Sequence, residues 1–117
     1  MNELKFPDKF LFGTAVASYQ VEGGIYNNDW TIWENKSNSV CVERCNEACK
    51  HYEMLDQDIE LLKELGIKAF RFSIEWSRIE PTEGNYDTDA INHYVEKAKK
   101  LIAVSYTHLT LPTNREV

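Results

Sequence analysis

An amphipathic helix that ends at a glycine and leads directly into an apolar strand constrains the fold of this chain most. Residues 47–65 carry apolar side chains at alternating spacings of four and three, which predicts a helix with one buried face. That face consists of Ala48, Tyr52, Leu55, Ile59 and Leu62. Gly66 stands where a left-handed C-terminal cap is expected. Residues 67–74, IKAFRFSI, are rich in β-branched and aromatic side chains and predict a strand.

The same order of elements occurs twice along the chain. Residues 10–17 predict a short buried strand, which a long polar stretch over 18–46 separates from the first helix. A second helix is predicted to begin near Thr88. Its apolar face consists of Ile91, Tyr94, Val95, Ala98, Leu101 and Ile102. Strand, helix, strand, helix implies parallel strands joined by right-handed crossovers, and therefore an α/β fold.

Charge and hydropathy argue against two classes of partner. The formal net charge of -6 argues against binding to a nucleic-acid backbone. No run approaches the roughly 20 apolar residues of a membrane helix. The first ten residues, MNELKFPDKF, lack the basic and apolar segments of a signal peptide, so a cytoplasmic location is expected.

The three cysteines do not form a metal-binding pattern. Cys41, Cys45 and Cys49 lie four apart, an odd number of thiols without the paired spacing of a zinc site. A metal or cluster role is the minor alternative, and reduced thiols are the favoured interpretation. The sequence therefore predicts no metal and no cofactor.

Alternation along the second strand draws attention to Arg71. Phe70 and Phe72 should face one side of the sheet, whereas Arg71 should face the other. Strands of a parallel sheet are normally covered on both faces, so Arg71 is predicted to be at least partly buried. A buried guanidinium needs a partner. One alternative is an ion pair with Glu22 or Glu75, and the other is a position lining a polar cavity inside a barrel.

Two long motifs and one short motif carry a family resemblance. They are FLFGTAVASYQVEGG at residues 10–24, IWE at 32–34 and ACKHYEMLDQDIELLKELGIKAFRFSIEWSRIEP at 48–81. In these motifs the chain resembles the N-terminal part of glycoside hydrolase family one, the β-glucosidase and 6-phospho-β-glucosidase family, over residues 6–102. The resemblance implies that residues 1–103 form the N-terminal βαβα portion of a (β/α)8 TIM barrel, which is incomplete.

The resemblance also implies a substrate and two site residues. The family consists of retaining enzymes that hydrolyse β-glucosides, β-galactosides or their 6-phosphates without a cofactor. Gln20 would bind the sugar through an amide that both donates and accepts hydrogen bonds, and Arg71 would support the catalytic nucleophile. The alternative for Gln20 is that its amide only satisfies loop backbone. Glu22 is expected to be a structural acceptor. A non-enzymatic carbohydrate-binding or regulatory relative is the alternative function.

The catalytic carboxylates of the family are not found in this sequence. Its acid/base glutamate lies in an Asn-Glu-Pro motif and its nucleophile in a Glu-Asn-Gly motif, and neither string occurs here. Ile79-Glu80-Pro81 lacks the asparagine and falls in the loop after the second strand. No catalytic residue is therefore named, and the chain alone is expected to be inactive.

Aromatic and histidine side chains have structural interpretations. Trp30, Trp33 and Trp76 could stack on sugars, but we expect them in the core. His51 is interpreted as a packing or capping residue on the first helix, and His93 is expected to face solvent.

The last 14 residues do not continue the family pattern. Residues 104–113, VSYTHLTLPT, resemble the in-frame translation of a sequencing adapter, a transposase end followed by its primer site. We therefore expect residues 104–117 to be a non-native tail. A natural but divergent C-terminus is the alternative.

Overall fold

The structure is a computed structural model that describes residues 2–104 and the backbone of residues 108–110. Its elements are β1 (Gly13–Ala15), α1 (Ser18–Val21), α2 (Asp29–Glu34), α3 (Leu55–Glu64), β2 (Ala69–Arg71), α4 (Trp76–Ile79), α5 (Thr88–Ala103) and β3 (His108–Thr110). In the part of the chain that is described, no helix is both long and apolar enough to cross a membrane.

The strands form one parallel sheet in the order β1-β2-β3. Gly13 pairs with Ala69 and Ala15 with Arg71. The ladder continues one residue further, because the Val16 N–H donates to the Arg71 carbonyl at 3.0 Å. The predicted parallel α/β arrangement is confirmed, and the (β/α)8 barrel to which it corresponds is present only in part.

The main core lies between β2 and the two long helices. Its buried members are Leu55, Ile59, Phe70, Phe72 and Leu101, which come from α3, from β2 and the residue after it, and from α5. Complete burial of an aliphatic or phenyl side chain of this size contributes about 1.5 to 3 kcal/mol. A smaller cluster of Ile79, Ala90 and Tyr94 joins α4 to α5. The predicted direction of Phe70 and Phe72 is confirmed.

The first long helix is shorter than the periodicity predicts. It begins at Leu55, and the residues before it form turns in which Asn46, Ala48 and Lys50 have φ values of 42°, 44° and 53°. A left-handed backbone cannot continue an α-helix. The His51 N–H donates instead to the Val21 carbonyl at 2.9 Å, which ties this segment to the end of α1.

Both predicted strands are also shorter than expected, with three residues each. Beyond Arg71, side chains replace the ladder, since the Ser18 N–H donates to Ser73 Oγ at 2.7 Å. The cap at Gly66 is as predicted, with φ of 70°.

Lys97 on α5 is buried among the apolar side chains of the core. It is 2% exposed, and its Nζ lies 3.0 Å from His51 Nε2 and 4.2 Å from the centroid of the Phe72 ring. His51 Nδ1 lies 2.6 Å from an oxygen of Asp58. Because a carboxylate only accepts, Nδ1 carries the proton, and Nε2 is left to accept from the ammonium group.

Burial shifts both titrations of this pair in the same direction. It lowers the pKa of Lys97 from 10.5 to about 8. The pKa of His51 is also lowered, first by burial and then by the charge of Lys97. At neutral pH the single positive charge of this pair therefore lies on Lys97. His51 is a buried packing residue.

Replacing Lys97 with methionine is expected to stabilise the chain at pH 7. The shift of the Lys97 pKa from 10.5 to about 8 corresponds to a cost of about 3 kcal/mol for keeping the buried amine charged. Loss of the donor to His51 Nε2 costs about 1 to 2 kcal/mol, so the net gain is about 1 to 2 kcal/mol. Urea denaturation measures the difference.

The pH dependence separates this explanation from a general packing effect. Between pH 8 and 10.5 Lys97 binds more protons in the unfolded chain than in the native chain, so the destabilising contribution of this residue falls as pH rises through that window. The advantage of Lys97→Met should therefore shrink at pH 10. The exposed Lys99→Met is the control, with no expected gain at either pH. An advantage of equal size at both pH values contradicts the explanation.

Candidate functional site

The two residues that the sequence singles out lie near the carboxyl ends of neighbouring parallel strands. Arg71 is the last residue of β2, and Gln20 lies in α1, the short helix after β1. The carboxyl edge of the sheet is where (β/α)8 barrels carry their active sites. Folding therefore brings both residues to the same edge of the sheet.

Arg71 is exposed, so its predicted burial is wrong for this chain. Among the described residues it forms no ion pair, and the nearby acid Glu22 is bound by Arg78 instead. The reason is that helices cover only the face of β2 on which Phe70 and Phe72 lie. The opposite face, which would line the interior of a barrel, has no covering layer in the part of the chain described.

Gln20 is also exposed. Its backbone N–H donates to the Ala17 carbonyl at 3.1 Å, whereas its side-chain amide has no hydrogen-bond partner within residues 2–104. The alternative that this amide satisfies nearby backbone is therefore not realised here. The amide can donate to one ligand hydroxyl and accept from another.

The N-terminal end of α1 is fixed to the segment that follows β2. The Ser18 N–H donates to Ser73 Oγ at 2.7 Å, and Ser18 Oγ donates to Glu75 Oε2 at 2.9 Å. Ser18 and Glu75 are both buried. These contacts join the loops after β1 and β2 at the carboxyl edge.

The C-terminal end of α1 is fixed by a buried carboxylate. Glu22 is 2% exposed and accepts from the Tyr94 hydroxyl at 2.8 Å and from Arg78 Nε at 3.1 Å. Burial raises the pKa of Glu22, although the Tyr94 hydrogen bond and the charge of Arg78 oppose the rise. Burial and the charge of Glu22 raise the pKa of Tyr94. Glu22 thus has the contacts of a structural acceptor.

The tryptophans lie outside the core, contrary to expectation. Trp30 and Trp76 are each 59% exposed, and Trp33 is partly exposed. Trp30 and Trp33 meet edge to face with centroids 5.8 Å apart, and Trp30 stacks at 6.5 Å on Tyr19, the neighbour of Gln20. The expectation failed because α2 and α4 are covered on one side only in the described part of the chain.

His93 is half-buried rather than solvent-facing. Its ring stacks on Tyr52 with centroids 3.6 Å apart. Burial, followed by the charges of Lys97 and Arg78, lowers the pKa of His93 to about 4. It is neutral at physiological pH and acts as a packing residue.

Neither the cysteine segment nor Glu80 forms a reactive site. The three cysteines are free thiols, and burial raises the pKa of Cys45. Residues 2–104 contain no group of three or more potential ligand side chains that could hold a metal ion. Glu80 accepts from the Gly84 N–H and from Trp76 Nε1, both at 2.8 Å, and these bonds lower its pKa. A carboxylate that is ionised and accepts two hydrogen bonds is unsuited to act as a general acid.

The contact between Arg78 and Glu22 was not anticipated from the sequence. Arg78 lies in α4, and 55 residues separate it from Gly23, whose carbonyl it also binds. Tyr94 could be placed on the buried face of α5, but the partner of its hydroxyl could not. A buried tyrosine hydroxyl does require a partner, and this was the available signal.

Comparison with known proteins matches residues 2–111 to the family described as Glycosyl hydrolase family 1. Beta-glucosidase A of Acetivibrio thermocellus is 35% identical over 126 aligned positions, covering 96% of this chain and 28% of that protein. Beta-glucosidase A of Thermotoga maritima is 42% identical over 87 positions, covering 69% of this chain and 20% of that protein. The solved structure of the beta-glycosidase from Pyrococcus horikoshii is 41% identical with a TM-score of 0.81, and the match covers 92% of this chain and 25% of that protein. The chain thus spans only about a quarter of such relatives.

Proposed function

The chain belongs to glycosyl hydrolase family 1, and from that premise we propose that the whole protein is a retaining β-glycosidase of which this chain is the N-terminal part. The proposed substrates are β-glucosides, β-galactosides or their 6-phosphates, and the enzyme needs no cofactor. The relatives named beta-glucosidase support the glucoside. The observation that carries the proposal is the placement of Gln20, in the short helix after β1, and Arg71, the last residue of β2, at the carboxyl edge of a parallel sheet.

In this proposal the chain binds sugar and supports the chemistry without performing it. The exposed amide of Gln20 holds two sugar hydroxyls, and the Arg71 guanidinium stabilises a nucleophilic carboxylate by charge and hydrogen bonding. Retaining hydrolysis needs two carboxyl groups about 5 to 5.5 Å apart, one as acid/base and one as nucleophile. Both come from strands beyond this chain.

The test is to complete the barrel. Residues 2–103 are joined in frame to the part of the Thermotoga maritima beta-glucosidase A that follows the segment matched by this chain. The graft is expected to hydrolyse a nitrophenyl β-glucoside, whereas the 117-residue chain alone should show no turnover above a mock preparation. A correctly folded graft without activity would contradict the proposed roles of Gln20 and Arg71, and turnover by the isolated chain would contradict the assignment of the catalytic carboxylates. The sequence that follows in the parent gene separates the enzyme from the non-enzymatic alternative, because both glutamate motifs support the enzyme and loss of either supports the alternative.

The location remains the one expected from the sequence. We propose the cytoplasm, where thiols such as the three free cysteines stay reduced. A small-molecule glycoside is the proposed partner.

We also propose that residues 1–103 are the native barrel portion and that 104–117 are a non-native tail. The ten-residue likeness of 104–113 to a translated adapter supports this proposal. Residues 105–107 and 111–117 lie outside the described residues. The parallel pairing of His108–Thr110 with β2 is compatible with either origin, since an open sheet edge accepts any extended segment. Amplifying source DNA across the codons for residues 103 and 104 tests the proposal. A product that encodes VSYTHLTLPT would refute it.

A further inference from the structure

The short helix α1 is held at both ends by the segment that follows β2. At its first residue, Ser18 Oγ donates to Glu75 Oε2 at 2.9 Å. At its last turn, Glu22 caps the helix and accepts from Arg78 Nε at 3.1 Å. Gln20 lies midway between these two anchors, two residues from each.

The Glu22 anchor joins three elements in the interior of the protein. The Tyr94 hydroxyl on α5 donates a hydrogen bond to Glu22. The same hydroxyl accepts a hydrogen bond from the Glu75 N–H at 3.2 Å, so it links both anchors. Arg78 on α4 also donates to the Gly23 carbonyl and lies 4.0 Å from the centroid of the Tyr52 ring. Charge-assisted hydrogen bonds of this kind fix the position of a carboxylate closely.

The helix itself cannot supply this rigidity. It has four residues, far fewer than the roughly 12 to 15 that an isolated helix needs for marginal stability. Its conformation must therefore come from its anchors. The Gln20 side chain adds nothing to them, because its amide has no partner within residues 2–104. A side chain that binds a ligand in one geometry needs a backbone that other groups hold in place.

We propose that Glu22, held by Arg78 and Tyr94, is a positioning residue that fixes the backbone of α1 and thereby the place of Gln20 above the carboxyl end of β1. The sugar-binding part of this inference rests on the proposed function. The fixing of α1 does not, and it is tested separately on the 117-residue chain.

Amide hydrogen exchange of the 117-residue chain tests the first part. In Glu22→Gln, the amides of Gln20 and Glu22, which donate to Ala17 and Ser18, should exchange about tenfold faster. The amide of Ile91 in α5, which donates to Asp87, should change less than about twofold. Tyr94→Phe is the second variant, because it removes only the hydroxyl, and it should also accelerate exchange of the Gln20 and Glu22 amides. This variant carries the test if Glu22→Gln does not fold.

A matched core variant separates positioning from loss of global stability. Ile59→Val lies in the main core away from α1 and should accelerate exchange in α5 at least as much as in α1. The proposal is overturned if folded Glu22→Gln or Tyr94→Phe leaves the α1 amides unchanged. It is also overturned if either variant accelerates amide exchange in α1 and in α5 equally, which is the pattern expected of a general loss of stability.

A double-mutant cycle in the active graft tests the link to Gln20. Glu22→Gln should lower kcat/KM about tenfold when Gln20 is present and less than about twofold in a Gln20→Ala background. Equal losses in both backgrounds would overturn the positioning role. An inactive graft would contradict the proposed function and not the fixing of α1. Hydrogen exchange of the 117-residue chain would still decide whether Glu22 fixes α1.

Discussion

Replacing Gly23 with alanine is expected to lower the free energy of unfolding by about 3 to 5 kcal/mol. Gly23 has φ of +78°, a left-handed conformation that costs other residues about 1 to 2 kcal/mol. A Cβ at this position would lie 2.1 Å from the carbonyl oxygen of Glu47 and 2.7 Å from its carbonyl carbon. Because both are backbone atoms, the chain itself would have to move.

Gly84 provides the matched control for this prediction. Its φ is +77°, but a Cβ there would meet no atom within 4 Å. Gly84→Ala therefore carries the conformational cost alone, about 1 kcal/mol. Urea denaturation of both variants at neutral pH gives the comparison. Equal losses at the two positions would show that the contact between Gly23 and Glu47 contributes nothing.

The contact at Gly23 also explains where sequence reasoning failed. The periodicity of α5 and the composition of β2 are local signals, and both elements form where they are predicted. The residues just before α3 share that helical periodicity, yet they form turns. Their backbone binds the end of α1, as in the 2.9 Å hydrogen bond from the His51 N–H to the Val21 carbonyl. No local pattern specifies a contact between segments so far apart in the chain.

In the candidate site too, local sequence predicts some features, whereas others depend on contacts between distant parts of the chain. Gln20 and Arg71 could be named because long motifs carry them, and the pairing of β1 with β2 places them at one edge. The exposure of Arg71 could not be predicted, since it depends on which elements cover the second face of the sheet. The partners of Glu22 and Lys97 were likewise hidden, because each contact joins residues more than 40 positions apart.

The Gln20 amide gives the sharpest test of the site. In the active graft, Gln20→Ala is expected to weaken transition-state binding by about 2 to 4 kcal/mol, a loss of about 30- to 1,000-fold in kcat/KM. Contacts to sugar hydroxyls strengthen in the transition state of glycoside hydrolysis, and the amide can make two of them. Stability should hardly change, because the side chain is exposed and has no hydrogen-bond partner within residues 2–104.

Gln57 is the matched control, because it is an exposed glutamine on α3, away from the carboxyl edge of the sheet. Gln57→Ala should leave both kcat/KM and the urea midpoint of the graft unchanged. Steady-state hydrolysis of a nitrophenyl β-glucoside measures the first quantity. If Gln20→Ala keeps kcat/KM within about threefold of the unaltered graft, Gln20 does not bind the sugar. If it loses activity together with a lowered urea midpoint, the side chain supports the fold of α1 instead.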